Sequence, residues 1–250
     1  MGRIIKADFH IHSCLSPCGD LSMSPSVIVD YLKQRNVKLA ALTDHNSSLN
    51  CKAFAECCVK NDIIPLFGME LQTQEEIHLL CLFDNLEISE KFSNEIYDLL
   101  PPIPNNPEKM GDQVYVDSEE NILGEVEKYL VTSADLSIDD AVEFVHKLGG
   151  IAIPAHADRS AFSLTSQFGM ITDGNWDAVE LVNLQNAPEH IKSTYPLTSS
   201  SDAHYIEHIA RRTFNLEIQE DSLVKTDKFA NINEVKKALE KLIVKNLNLQ

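Results

Sequence analysis

His10 and His12 stand two residues apart at the end of the run Ile4-Ile5-Lys6-Ala7-Asp8-Phe9. In an extended chain, residues at i and i+2 share a face, so these two imidazoles can grip one cation. His45 follows the apolar stretch Leu39-Ala40-Ala41-Leu42, Glu70 follows Pro65-Leu66-Phe67-Gly68-Met69, and His78 lies within a further β-like run. In the second half, His156 comes after Ile151-Ala152-Ile153-Pro154-Ala155, while Asp202 and His204 follow Leu197-Thr198-Ser199-Ser200-Ser201. Taken singly, each histidine reads as an imidazole held by an ordinary hydrogen bond. That reading fails for the set, because six of the nine histidines fall at strand ends or just beyond them. His146, His190 and His208 sit in helix-like stretches and read as structural or exposed. Imidazole and carboxylate donors without thiolate suit Zn²⁺, Mn²⁺ or Fe²⁺, and there are more of them than one ion can use. Two or three divalent ions are expected, with Glu70 as a bridge.

The elements that must position these residues alternate between short apolar runs and helix-like stretches, the pattern of βα units. Strands are expected near 3–9, 38–43, 63–68, 76–83, 150–154, 177–182, 197–200 and 213–218. Ser24 is an N-cap candidate with Pro25 at the first helical position, and Ser137 caps a helix that Gly149-Gly150 ends. The stretch from Ile232 to about Val244 reads as an amphipathic closing helix. A single α/β domain with a barrel-like parallel sheet would open all carboxyl strand ends onto one face. Pro101-Pro102-Ile103-Pro104 begins an irregular insertion running to about Asn121, read equally as a solvated excursion or as a lid or specificity loop.

Composition narrows the classes. The chain has 250 residues, 44% of them hydrophobic, and a formal net charge of −17. Such a charge repels a phosphate backbone, so the expected partner is a small phosphorylated molecule or a short oligonucleotide and not duplex nucleic acid. No apolar run approaches the roughly 20 residues that span a bilayer, so no membrane partner is expected. The N-terminus lacks a signal-like segment, which favours a cytoplasmic enzyme. The six cysteines read as free thiols, with Cys14 and Cys18 as small loop residues beside the site rather than ligands.

Ala7-Asp8-Phe9-His10-Ile11-His12-Ser13, Leu42-Thr43-Asp44-His45-Asn46, Gly68-Met69-Glu70, Glu76-Ile77-His78, Pro154-Ala155-His156 and Ser201-Asp202-Ala203-His204 occur in an order that resembles the polymerase and histidinol phosphatase (PHP) superfamily of metal-dependent phosphoesterases. The resemblance implies a distorted, TIM-like (β/α)₇ barrel with three ions. It implies one ion on His10, His12, Glu70 and Asp202, a second on Glu70, His78 and His156, and a third on Asp20, His45 and His204. Asp20 is matched across a loop, Cys14-Leu15-Ser16-Pro17-Cys18-Gly19, that is longer than the family's usual one. Asp8 and Asp44 precede ligand histidines and are expected to orient imidazoles or the attacking water. Arg159, Arg211 and Arg212 are candidates to hold phosphate. The expected reaction is hydrolysis of a phosphate ester by metal-activated water, with Asp202 and His204 as proton-handling candidates. A metal-dependent amidohydrolase, which also uses a His-x-His pair, and a non-catalytic metal-binding regulatory module are the alternatives.

Overall fold

A computed structural model describes residues 2–247. Its strands are β1 (Arg3–Asp8), β2 (Leu39–Leu42), β3 (Ile64–Gln72), β4 (His78–Phe83), β5 (Val114–Val116), β6 (Ile122–Glu125), β7 (Ile151–Pro154), β8 (Val179–Glu180), β9 (Leu197–Thr198) and β10 (Phe214–Ile218). Six of them form one sheet in the order β10-β1-β2-β3-β4-β7, and β8 and β9 pair in parallel beside it. Every strand expected from the apolar runs is present, most of them a residue or two shorter.

Period-two alternation explains the layers. Leu39 and Ala41 of β2, Leu66 of β3, Leu80 and Leu82 of β4 and Ile151 and Ile153 of β7 share one buried cluster with Val235, Ala238 and Leu239 of the closing helix Ile232–Leu247. The alternate residues Ala40, Leu42 and Phe67 pack on the helices Pro25–Gln34 and Cys51–Lys60. Leu79, Cys81 and Phe83 pack on the helices Leu86–Leu99 and Ile138–Lys147. Both faces are covered, which is why these strands read as continuous apolar runs. The caps are as expected: Ser24 Oγ accepts from Val27 N and Ser137 Oγ accepts from Asp140 N.

The expected barrel needs correction. A parallel (β/α)₇ barrel is not what forms; the sheet is mixed and curls into a half-barrel. In this sheet β1, β2, β3 and β7 run in one direction and β4 and β10 run against them, β10 antiparallel to β1 and β4 antiparallel to both β3 and β7. The connection from β3 to β4 spans only residues 73–77, too short for a crossover helix, so those strands must form an antiparallel pair. Gly68 sits where the β4 backbone leaves no room for a side chain: a Cβ there would lie 1.9 Å from the Cys81 carbonyl oxygen.

The insertion is ordered. It holds a short helix, Pro107–Met110, and β5, which pairs with β6 just beyond the expected limit at Asn121 to form a hairpin. The hairpin docks on the loop after β1, where Val114 N donates to Cys14 O. Asn50 links the two, accepting from Val116 N through Oδ1 at 2.9 Å and donating through Nδ2 to Ser13 Oγ at 2.8 Å.

Candidate metal centre

The antiparallel pairs still bring the ligand candidates to one end of the sheet. His78 opens β4 and pairs with Gln72 at the close of β3, so the start of β4 lies beside the carboxyl end of β3. Because β7 runs antiparallel to β4, its end at Pro154 returns to Leu79, and His156 follows at the same end. The segment 200–204 runs beside 9–12, with Asp202 N donating to His10 O at 2.8 Å and His12 N to Ala203 O at 3.0 Å. His156, Asp202 and Asn46 have positive φ (32°, 50° and 49°), a conformation that L-residues adopt at a cost and that the surrounding hydrogen bonds enforce.

Glu70 is the hub. Its Oε1 lies 3.1 Å from His10 Nε2, 2.8 Å from His78 Nδ1 and 2.9 Å from His156 Nε2. Its Oε2 lies 3.2 Å from His12 Nε2 and 3.1 Å from His45 Nδ1. The His45 approach is close but too poorly aligned for a hydrogen bond, and His45 Nδ1 remains a buried polar atom with no bonded partner. Donor atoms within 4.8 Å of one another form four overlapping groups: His10, His12 and Asp202; His10, Glu70 and His156; His45, Glu70 and His78; and His12, His45 and His204. Eight of the nine expected ligands are thus together. His78 and His156, expected around one ion, fall in different groups that share Glu70.

Asp20 is the residue not brought in. Its side chain is exposed and accepts from Ser22 N at 2.8 Å, closing a turn, while only its backbone N reaches the site, donating to His204 O at 2.9 Å. The longer loop from Cys14 to Gly19 ends in this turn and directs the carboxylate outward.

The electrostatics match cation ligands, which must be deprotonated. Burial lowers the pKa of His12 to about 3, helped by His204, and burial also lowers those of His45, His156 and His204. Burial opposes ionisation of Glu70, but the imidazoles of His78, His10 and His45 hold its carboxyl well below the usual range. His10 is the exception: burial pulls its pKa down, but the carboxylates of Glu70, Glu180 and Asp202 outweigh it and hold the imidazole well above its ordinary value. A bound cation would take the place of that proton. The donor set, its ionisation and the orphaned buried His45 and His156 Nδ1 atoms therefore fit divalent metal.

Around the cluster, Asp44 accepts from Ser13 N and Ser13 Oγ, both at 2.6 Å, and from Ser16 Oγ at 2.7 Å. Ser16 Oγ in turn meets His12 Nδ1 at 2.9 Å, so Asp44 orients an imidazole through a serine. Asp8 Oδ1 accepts from Ser201 N at 3.0 Å and from His10 N at 3.4 Å, fixing the backbone that carries the ligands. Two residues escaped the sequence reading. Ser16 has no distinguishing sequence signal. Glu180, in β8, accepts through Oε1 from His10 Nδ1 at 2.9 Å and from His156 N at 3.0 Å, turning His10 Nε2 toward the centre. Its only signal was a carboxylate inside an otherwise apolar strand.

The three arginines divide. Arg159 Nη1 donates to Asp202 Oδ2 at 2.8 Å with its side chain 42% exposed. Arg211 Nε donates to Ser201 O at 2.8 Å and Arg212 Nε to Ser200 O at 3.0 Å, so both clamp the loop that presents Asp202. Cys14 is buried and Cys18 exposed; among the described residues no cysteine joins a ligand group. His146 pairs with Asp177 away from the site, as expected of a structural histidine. No helix among the described residues is long and apolar enough to cross a membrane.

The PHP domain profile matches residues 8–221 of this chain. No curated protein sequence matches it. Among solved structures, the lesion-specific endonuclease PfuEndoQ from Pyrococcus furiosus is similar, with a TM-score of 0.67 and 18% identity over 96% of this chain and 56% of that one. Endonuclease Q in complex with a 27-mer duplex carrying an abasic lesion at the active site gives a TM-score of 0.65 at 18% identity, over 96% of this chain and 57% of that one. A protein from Bifidobacterium adolescentis assigned as a metal-dependent phosphoesterase gives 0.55 at 14% identity, over 94% of this chain and 96% of that one. These likenesses concern the fold, and this chain spans little more than half of each endonuclease chain. They overturn the exclusion of duplex nucleic acid drawn from net charge, since a protein of this fold holds a duplex at its active site. Net charge sums over faces that never meet a ligand and counts carboxylates that cations neutralise.

Proposed function

The chain belongs to the PHP domain family, and from that premise we propose that it is a metal-dependent hydrolase acting on a phosphate ester: a small phosphomonoester, a nucleotide or a short oligonucleotide. The observation that supports this best is Glu70, one buried carboxylate within 3.2 Å of five imidazoles, with Asp202 and His204 completing the cluster. His10, His12, His45, Glu70, His78, His156, Asp202 and His204 are the residues that would hold two or three divalent ions of zinc, manganese or iron type. Such ions would supply Lewis acidity toward a phosphoryl oxygen and toward the attacking water.

The chain's own residues do the rest. His204 is the most open imidazole of the cluster, with 19% of its side chain exposed. Its lowered pKa, set by burial against the pull of Asp202, keeps it neutral at pH 7, so it can take a proton from water when it is not committed to an ion. Arg159 also reaches Asp202, and its half-exposed guanidinium can exchange Asp202 for a phosphate oxygen. Arg211 and Arg212 act indirectly, by fixing the carbonyls of residues 200 and 201.

The test is phosphate release from a panel of phosphomonoesters and a short oligonucleotide with added Mn²⁺, Zn²⁺ or Fe²⁺, beside a His10→Ala/Asp202→Ala variant. Metal-dependent release that the variant loses is the expected result. Stoichiometric metal binding without turnover on any phosphoester would instead favour the amidohydrolase or the non-catalytic module.

A further inference from the structure

The loop that follows β7 sets a partly exposed aromatic ring against the ligand cluster. The Phe162 ring lies against the His78 imidazole, centroids 5.0 Å apart and planes within 14° of parallel, while the residue keeps 38% of its surface open. A lone exposed phenylalanine is commonplace; this one is held in place. Its φ of 51° lies in the left-handed region, which a bulky side chain adopts only under constraint. The constraints are visible. Phe162 O accepts from His78 N at 3.1 Å, Ser163 Oγ donates to Arg159 O at 2.6 Å, and Ser163 caps the helix Leu164–Phe168 with a reciprocal capping box. The same short loop thus carries Arg159 on Asp202 and Phe162 on His78, a cation and an aromatic ring beside one metal-ligand cluster.

We propose that Phe162 is a stacking platform for the base of a nucleotide phosphoester whose phosphate Arg159 and the cluster hold, an inference that rests on the phosphoesterase reading and names its substrate class. Every nucleobase has a flat π face, and stacking on an aromatic side chain contributes affinity whatever the sequence. A guanidinium is matched to phosphate geometry. A sugar or polyol phosphate would use the arginine and leave the ring idle. The base can belong to a free mononucleotide or to the end of a polynucleotide, since stacking on a rim residue does not distinguish them.

The experiment compares the metal-loaded wild-type protein with Phe162→Ala, Phe162→Leu and Phe162→Trp on a nucleoside 5′-monophosphate, ribose 5-phosphate and a 5′-phosphorylated trinucleotide. The expected result is a loss of about tenfold in kcat/KM, carried by KM, for Ala and Leu on one or both base-bearing substrates. Ribose 5-phosphate turnover stays unchanged and Trp retains wild-type values. Which base-bearing substrate responds tells free nucleotide from polynucleotide. Equal losses on all three substrates, or none on any, overturn the proposal, as does rescue by Leu, which restores bulk without a π face. A binding arm reads stacking without turnover: wild-type protein should quench the fluorescence of 2-aminopurine riboside 5′-monophosphate, and Phe162→Ala should not. Quenching with no hydrolysis of any substrate would keep the stacking site and reject the phosphoesterase reading; absence of quenching by the wild-type protein overturns the stacking site itself.

Discussion

At the scale of single residues, the site depends on groups that touch no substrate. Glu180 fixes the tautomer and direction of His10 and also binds the His156 backbone, so one carboxylate orients two ligands. Glu180→Ala should weaken metal binding about tenfold or more, with Glu180→Gln intermediate because its amide oxygen can still accept; competition with a chromophoric chelator measures this. Unchanged affinity would show that packing alone orients His10. Asp8 gives a pH signature. Burial pushes its pKa up from 3.8 to about 6, against the hydrogen bonds from Ser201 and His10. The folded state therefore holds this proton more tightly than the unfolded chain does. Stability falls as pH rises between the two values, and the full cost, on the order of 3 kcal/mol, is present above the folded pKa. Asp8→Asn cannot ionise. Between pH 4 and pH 7, urea unfolding of chelator-treated protein should show the Asn variant gaining on wild type by about that amount, and a constant difference would contradict the assignment. His10, His12 and Glu70 were legible from type and spacing, because period two and strand-end position are local properties. Glu180 was not, because what distinguishes it is a partner 170 residues away.

At the scale of elements, the junction of β3 and β4 carries the design. A five-residue connection forces them antiparallel, places His78 beside the end of β3 and leaves no space at Gly68. Gly68→Ala drives a methyl group into the Cys81 carbonyl, which can yield only by moving β3 away from β4. A destabilisation on the order of 3 kcal/mol is expected in urea unfolding. A change under 1 kcal/mol would mean that the sheet adjusts there. The insertion shows how much sequence reading depends on length: β5 spans Val114–Val116 and β6 Ile122–Glu125, too short for a detectable alternation, and their register is set by contacts with Asn50 and the loop after β1.

At the scale of the whole molecule, the ligands come from segments between residues 10 and 204, so a cation bound there closes the fold upon itself. Chelation should lower the melting temperature, and stoichiometric Zn²⁺ or Mn²⁺ should restore it; an ion held at a thousandfold excess over its Kd adds about 4 kcal/mol. Glu70→Gln, which loses the charge at the hub, should melt at nearly the same temperature with and without metal. A wild-type protein indifferent to chelation would argue that the cluster is held by hydrogen bonds alone.

The sequence by itself determined which residues could ligate a cation, the strands that end near them and the caps of the principal helices, because residue type, periodicity and capping are local. It did not determine the direction of β4 and β10, the half-barrel in place of a closed barrel, the outward turn of Asp20 or the engagement of Arg211 and Arg212 with the backbone. Each of those depends on which distant segment arrives beside the residue, and only the tertiary structure decides that. A parallel barrel and this mixed sheet bring most of the same segments to one pole, β4 by its start instead of its end, so the grouping of these residues does not depend on the direction of every strand.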